Sequence, residues 1–359
     1  MKIIFERLKA LLRHRPMLVF FFYYFVRMRR GFNTYRSILE KYGPDTQIYV
    51  EHYPGTGDVY ITCALLDGYI TQTKGNEKYV VTIIGMGAVK VAKLLGIQNT
   101  ILLTQTETDD LLLFYRFIGR DFCPNLTVLH YSPIMFHTSV LDQLAGYNGL
   151  DFMTMYQATV FPGVSWTHAK KLPVIASQEK IDEYFDEKGL VPEKTILLFP
   201  NANTIEPLEI DLWETLARKL REDGYMVCTN VEKGGHPIPG TEAIFVPYAD
   251  IIPFSERCAC LIGLRSGIFD MLADSSCRKI ILYPTPNFYK FGVGTIFDYF
   301  SLVKMGFAKN TYEFEFERIN RKWMFYILYD MISELLSKGT YEVSANKKCV
   351  FIKSSDVAD

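Results

Sequence analysis

Gln47-Ile-Tyr-Val-Glu-His-Tyr-Pro-Gly-Thr-Gly-Asp-Val-Tyr-Ile-Thr-Cys-Ala-Leu-Leu66 reads as a strand, a glycine turn and a helix. Gln47 to Glu51 form the strand and His52-Tyr53-Pro54 lead into the turn. Gly55-Thr56-Gly57-Asp58 make the turn, and Val59 to Tyr69 make the helix. Glycines let backbone approach a ligand closely, and a helix start offers unpaired N–H groups. A second strand-to-helix turn, Leu261-Ile-Gly-Leu-Arg265-Ser-Gly-Ile-Phe-Asp270, lies far down the chain. One such turn per half predicts two α/β domains facing a cleft.

The pattern extends from both turns. After the first come strands at Tyr79 to Ile84, Thr100 to Leu103 and Leu126 to His130, with helices at Ala88 to Leu95 and Asp109 to Ile118. Strands alternating with helices imply parallel sheets with right-handed crossovers. The second half restarts at Lys194 to Phe199, with a helix at Leu212 to Asp223 and strands at Tyr225 to Thr229 and Ala243 to Val246. A short helix at Pro253 to Arg257, a strand at Lys279 to Tyr283 and a long helix at Arg321 to Leu336 follow. The charged stretch Ile181 to Glu193 is expected to separate the halves. The domains expected are therefore 31–185 and 186–340, flanked by an N-terminal basic, aromatic segment (1–30) and a C-terminal tail (341–359). Ser132 to Pro173 is less regular and rich in aromatics, Met and polar residues, which suits either a substrate-facing insertion or the packing beneath one.

Composition narrows the class. Of 359 residues, 49% are hydrophobic and 22% charged, which favours a globular chain over a disordered one. A net charge of −1 argues against a general nucleic-acid binder. Seven scattered cysteines, with only a C-x-C at Cys258 and Cys260, predict buried free thiols and a reducing, cytoplasmic compartment.

Residues 1–15 carry Lys2, Arg7, Lys9, Arg13 and Arg15, followed by Met17-Leu-Val-Phe-Phe-Phe-Tyr-Tyr-Phe-Val26 and Arg27-Met-Arg-Arg30. This apolar run is shorter than the ~20 residues that cross a bilayer. No cleavage site of a signal peptide follows it. It suits an interfacial helix on an anionic membrane face or, equally, a buried helix packed on the first domain.

Several residues have the chemistry for a site. Asp58 is either a charge favoured at a helix start or a general base. Arg265, Ser266 and Gly267 combine a fixed charge, a hydroxyl and helix N–H groups, a set that suits a diphosphate; the alternative is a surface arginine with a serine cap. Asn201, Asn203 and Thr204 follow a strand end in the same half. Lys233 could help bind phosphate, although a solvated loop charge explains it as well. Neither Gly55-Thr56-Gly57 nor Gly85-Met-Gly87 completes a G-x-G-x-x-G fingerprint, which disfavours a nicotinamide dehydrogenase. No metal motif is present, and no cofactor is expected: His130 and His137 stand too far apart for a strong ligand pair.

The order of these motifs resembles a GT-B glycosyltransferase of the bacterial heptosyltransferase-like group. The resemblance rests on Gly57-Asp58-Val59 before an apolar helix, on Phe199-Pro200-Asn201-Ala202-Asn203, on Trp213 to Leu220, and on Gly224-Tyr-Met-Val227. It also rests on the run Ser266-Gly267-Ile-Phe-Asp270-Met-Leu-Ala273. It spans about residues 46 to 290. Asp270 and Arg265 depart from the family's pattern. The resemblance implies two Rossmann-like domains and a hexosyl- or related transferase. It also implies a nucleotide-sugar donor held in the second domain by Arg265, Ser266, Gly267, Asp270, Asn201, Asn203, Lys233 and Tyr248. A glycan or lipid-linked acceptor would lie near Gly55, Thr56 and Gly57, with Asp58 as base. The expected setting is bacterial surface polysaccharide synthesis, in the cytoplasm or at the inner face of the membrane. The alternatives are a nucleotide-sugar epimerase or hydrolase of the same fold and a non-catalytic, membrane-associated binding protein.

Overall fold

The computed structural model describes residues 16–73, 78–118, 121–129, 151–203, 205–232, 235–285, 295–306, 308–317, 321–339 and 349–353. The chain forms two compact units, one up to Thr138 and one from Ser139.

The first unit opens with helix α1 (Pro16–Tyr42), then β1 (Gln47–Val50), α2 (Thr56–Thr73), β2 (Tyr79–Ile84), α3 (Met86–Leu94), β3 (Thr100–Leu103), α4 (Gln105–Ile118) and β4 (Leu126–Val128). The sheet order is β3-β2-β1-β4, parallel throughout. All four residues of β1 are buried, as expected of a central strand covered on both faces. Tyr35 and Ile38 of α1 join Leu111, Leu112 and Phe114 of α4 in one core with Ile48, Val50, Val80 and Leu126. Gly31 lets α1 and α4 touch: a Cβ there would lie 2.0 Å from the Asp110 carbonyl oxygen. The helical run continues across residue 31, where the sequence suggested a boundary.

The second unit contains α5 (Phe152–Thr159), a 3-10 turn (Trp166–His168), α6 (Gln178–Glu187), β5 (Thr195–Phe199), α7 (Ile210–Glu222), β6 (Met226–Asn230), β7 (Glu242–Ile244) and α8 (Ile251–Ser255). It continues with β8 (Cys260–Leu264), α9 (Gly267–Met271), β9 (Lys279–Thr285), α10 (Ile296–Phe300), β10 (Thr311–Glu317), α11 (Arg321–Lys338) and β11 (Cys349–Lys353). The order is β11-β10-β9-β8-β5-β6-β7, with β11 antiparallel to β10 and the remaining pairs parallel.

Three features differ from the sequence reading. The charged stretch near Ile181 is the amphipathic helix α6, whose Ile181 and Phe185 are buried; the Phe185 ring packs at a tilt on Phe254 of α8, centroids 5.0 Å apart. The compact units divide before α5, because Phe152 packs on Tyr299 and Phe300 of the second unit. Part of the expected tail is β11, paired to β10. Six cysteines among the described residues are free and buried.

Candidate functional site

In both units the chain builds outward from one strand and then returns to that strand's other side. β1 is followed by β2 and β3 on one side and β4 on the other; β5 is followed by β6 and β7 on one side and β8 on the other. Such reversals leave a crevice outside the carboxyl ends of the two central strands, where open α/β sheets bind ligands. Each crevice is marked by a buried charged residue immediately after its strand: Glu51 follows β1, and Arg265 follows β8.

Glu51 is 1% exposed. Its backbone N–H donates to the Thr82 carbonyl of β2 at 3.1 Å, extending the β1 ladder. Its Oε1 accepts the backbone N–H groups of His52 (3.1 Å) and Tyr53 (3.2 Å). Burial pushes the Glu51 carboxyl up to about 8; the Thr62 hydroxyl opposes the rise and the negative charge of Asp58 adds to it. Glu51 therefore holds its proton near neutral pH, and of two neighbouring carboxyls one stays neutral.

Asp58 is half-buried in the first turn of α2. Its carboxylate folds back over Gly55, where an added Cβ would lie 2.3 Å from Oδ2. Gly55 is needed for that close approach, and Thr56 (half-buried) and Gly57 (buried) continue the turn. Beside them, His52 Nε2 lies 3.2 Å from Asp109 Oδ1, and burial lowers the His52 pKa against the pull of that aspartate.

At the second strand end the charge is closed. Arg265 is 6% exposed. Its Nη1 and Nη2 donate to the two Asp270 carboxylate oxygens at 3.0 and 2.6 Å. Nε donates to the Phe300 carbonyl and Nη1 also to the Ser266 carbonyl, each at 2.9 Å. Burial opposes the charge, but Asp270, Tyr283 and Glu313 raise the Arg265 pKa on balance and keep it a cation. The network continues inward. Tyr283 Oη donates to Glu313 Oε1, the Ser301 hydroxyl donates to Glu313 Oε2, and the N–H groups of Leu302 and Val303 also donate to that carboxylate.

This arrangement differs from the expectation of an Arg265 guanidinium free for a diphosphate with Asp270 beside a donor. A charge emerging at a buried strand end must be paired or solvated, and the nearest acid, one helical turn along, pairs it. Ser266 stands at the start of α9 with its Oγ buried and without a hydrogen bond among the described residues. Gly267 is half-buried, Asn201 and Asn203 are exposed just past β5, and Tyr248 is half-buried. Lys233, Thr204, His130 and His137 lie outside the described residues. Among the described residues no three His, Cys, Asp or Glu side chains gather as metal ligands.

Sequence reasoning missed two residues. Glu51 was legible as an acid ending an otherwise apolar strand, seven residues before Asp58. Gly263 was not: a Cβ there would lie 2.6 Å from both the Cβ and the carbonyl oxygen of Phe199, so β5 and β8 close together only over a glycine.

No family model and no curated protein matches the chain. Solved structures do. An ADP-heptose lipopolysaccharide heptosyltransferase II of E. coli is 12% identical, with a TM-score of 0.50, over 82% of this chain and 99% of its own. A glycosyl transferase family 9 protein of Veillonella parvula is 13% identical over 84% of this chain and 91% of its own, with a TM-score of 0.44. S. aureus MnaA, solved with UDP, is 13% identical over 81% and 88%, with a TM-score of 0.44. The first match covers more of the chain than either unit alone can supply. With the two Rossmann-like strand orders, it makes this a GT-B type α/β fold.

Proposed function

We propose that this chain is a glycosyltransferase that moves a sugar from a nucleotide-sugar donor to a hydroxyl of a glycan or lipid-linked acceptor. The observation that carries the reading is the carboxyl pair at the end of β1, where Glu51 retains a proton and Asp58 stands at the start of α2. The neutral partner leaves Asp58 as the group to accept a proton.

In the proposed reaction Asp58 takes the proton of the acceptor hydroxyl, whose oxygen attacks the anomeric carbon. The bond from that carbon to the diphosphate breaks, and its electron pair leaves with the nucleoside diphosphate. General-base help of this kind is worth about 10²–10⁴-fold. On the donor side, Ser266, the Gly267 N–H, Asn201, Asn203, Tyr248 and Lys233 are the proposed polar contacts. Arg265 and Asp270 act there as positioning residues, since the guanidinium holds the Ser266 carbonyl in place. Transfer is proposed to be independent of a metal ion. The acceptor is proposed to belong to bacterial surface polysaccharide synthesis at the inner face of the membrane.

The test begins with thermal shifts against UDP, GDP, ADP, CMP and dTDP sugars. A ligand at 100 times its Kd stabilises by about 2.7 kcal/mol. The expected result is a clear shift with one nucleotide sugar, followed by acceptor-dependent release of its nucleotide in the presence of a chelator. No shift with any nucleotide sugar overturns the reading, and release without an acceptor replaces transfer with hydrolysis or epimerisation.

A further inference from the structure

The first third of α1 presents an exposed aromatic face. Phe21 and Phe25, one helical turn apart, are 62% and 59% exposed, and Met17, 68% exposed, lies one turn before them. The face does not end with α1. Tyr24 meets Phe117, near the end of α4, in an edge-on contact at 6.4 Å. Phe117 is itself 62% exposed, and Phe122, just beyond α4, is 76% exposed. Two segments distant in sequence thus contribute to one apolar patch, a feature that marks interaction surfaces rather than ordinary surface.

The patch is held on a fixed base. Arg27 Nε and Arg30 Nε lie 2.6 and 2.7 Å from the two carboxylate oxygens of Asp110, which is buried in α4. Gly31 brings the helices into contact directly below. The exposed rings therefore extend from an anchored helix.

Charge selects the partner. Arg29 is exposed beside the rings, and the fifteen residues that precede α1 in the chain carry five cations against one acid, Glu6. Asp121, an exposed acid, precedes Phe122 in the chain. Aromatic rings bordered by cations suit the headgroup region of a bilayer, where the rings enter the boundary and the cations meet anionic lipid. No helix among the described residues is long and apolar enough to cross a membrane, and the proposed contact is with a membrane surface.

We propose that Phe21, Phe25, Phe117 and Phe122 form one docking face for an anionic lipid bilayer. The inference goes beyond the transferase reading, to which it adds a location for a lipid-linked acceptor. It is tested with no nucleotide sugar present, so either idea can fail alone.

The experiment is cosedimentation of the full chain with vesicles of phosphatidylcholine mixed with phosphatidylglycerol, and with vesicles of phosphatidylcholine alone. The wild type is expected to bind the anionic vesicles and to release at high salt. Phe21→Ser/Phe25→Ser and, separately, Phe117→Ser/Phe122→Ser are each expected to weaken binding by about tenfold or more. These side chains are exposed, so both variants should melt like the wild type. Equal binding by the α4 pair overturns the two-segment face. A wild type that ignores anionic vesicles overturns the proposal, as does one that instead forms a dimer broken by the same substitutions, which assigns the face to a second copy.

Discussion

The ends of β1 and β8 each border the crevice where the strand order of their own sheet reverses, yet they treat buried charge in opposite ways. After β1, burial keeps Glu51 neutral, and the charge of Asp58 adds to the effect. After β8, Arg265 meets Asp270 and stays charged within a closed pair. The first arrangement sets a neutral carboxyl near Asp58, the proposed base, whereas the second uses its charge to fix a turn. A buried charge is therefore weak evidence for a binding role until its partner is known.

Four substitutions test that contrast. Asp58→Asn should lower transfer by about 10²–10⁴-fold while leaving the melting temperature near that of the wild type; near-normal transfer in steady-state assays would remove Asp58 as the base. Asp270→Ala leaves the buried Arg265 guanidinium without its carboxylate and should cost about 3–5 kcal/mol in urea unfolding. A loss below about 1 kcal/mol would mean that water or backbone replaces Asp270 easily, and the end of β8 would then be open as well.

Glu51→Gln should show a dependence on pH. The folded carboxyl titrates at about 8 and the unfolded one near 4.5. Between these values the folded state binds the extra proton, so wild-type stability falls as pH rises and levels off above about 8. The glutamine variant lacks this slope. Each tenfold difference in proton affinity between the folded and unfolded chain is worth about 1.4 kcal/mol. Relative to the wild type, the variant should therefore gain on the order of a few kcal/mol between about pH 5 and about pH 8.5. Parallel stability curves for the two proteins would place Glu51 in a solvated setting. The smallest effect is expected from Ser266→Ala. Its hydroxyl makes no capping bond, so stability should change by no more than about 0.5 kcal/mol, while affinity for the nucleotide identified in the thermal-shift panel should fall. An unchanged Kd by calorimetry would take Ser266 out of the donor site.

Much of the fold was legible because strand and helix patterns are local. Tyr79–Ile84 and Thr100–Leu103 were read with the bounds observed. Helix α6 was lost because its two core residues, Ile181 and Phe185, are outnumbered by charges that face solvent. The irregular stretch around Phe152 was placed in the first domain, because its partners Tyr299 and Phe300 lie far along the chain and leave no local sign.

Taken alone, the sequence determined the alternation of strands and helices, the glycine turn before Asp58 and the basic, aromatic character of the first thirty residues. These follow from the spacing and type of neighbouring residues. Tertiary structure decided which charges are open. Whether Arg265 faces a ligand or Asp270, whether Glu51 keeps a proton, and whether Phe117 meets Tyr24 depend on burial and on contacts between segments remote in sequence. The energy of a charge or a ring is set by what surrounds it in space, and linear order does not record that.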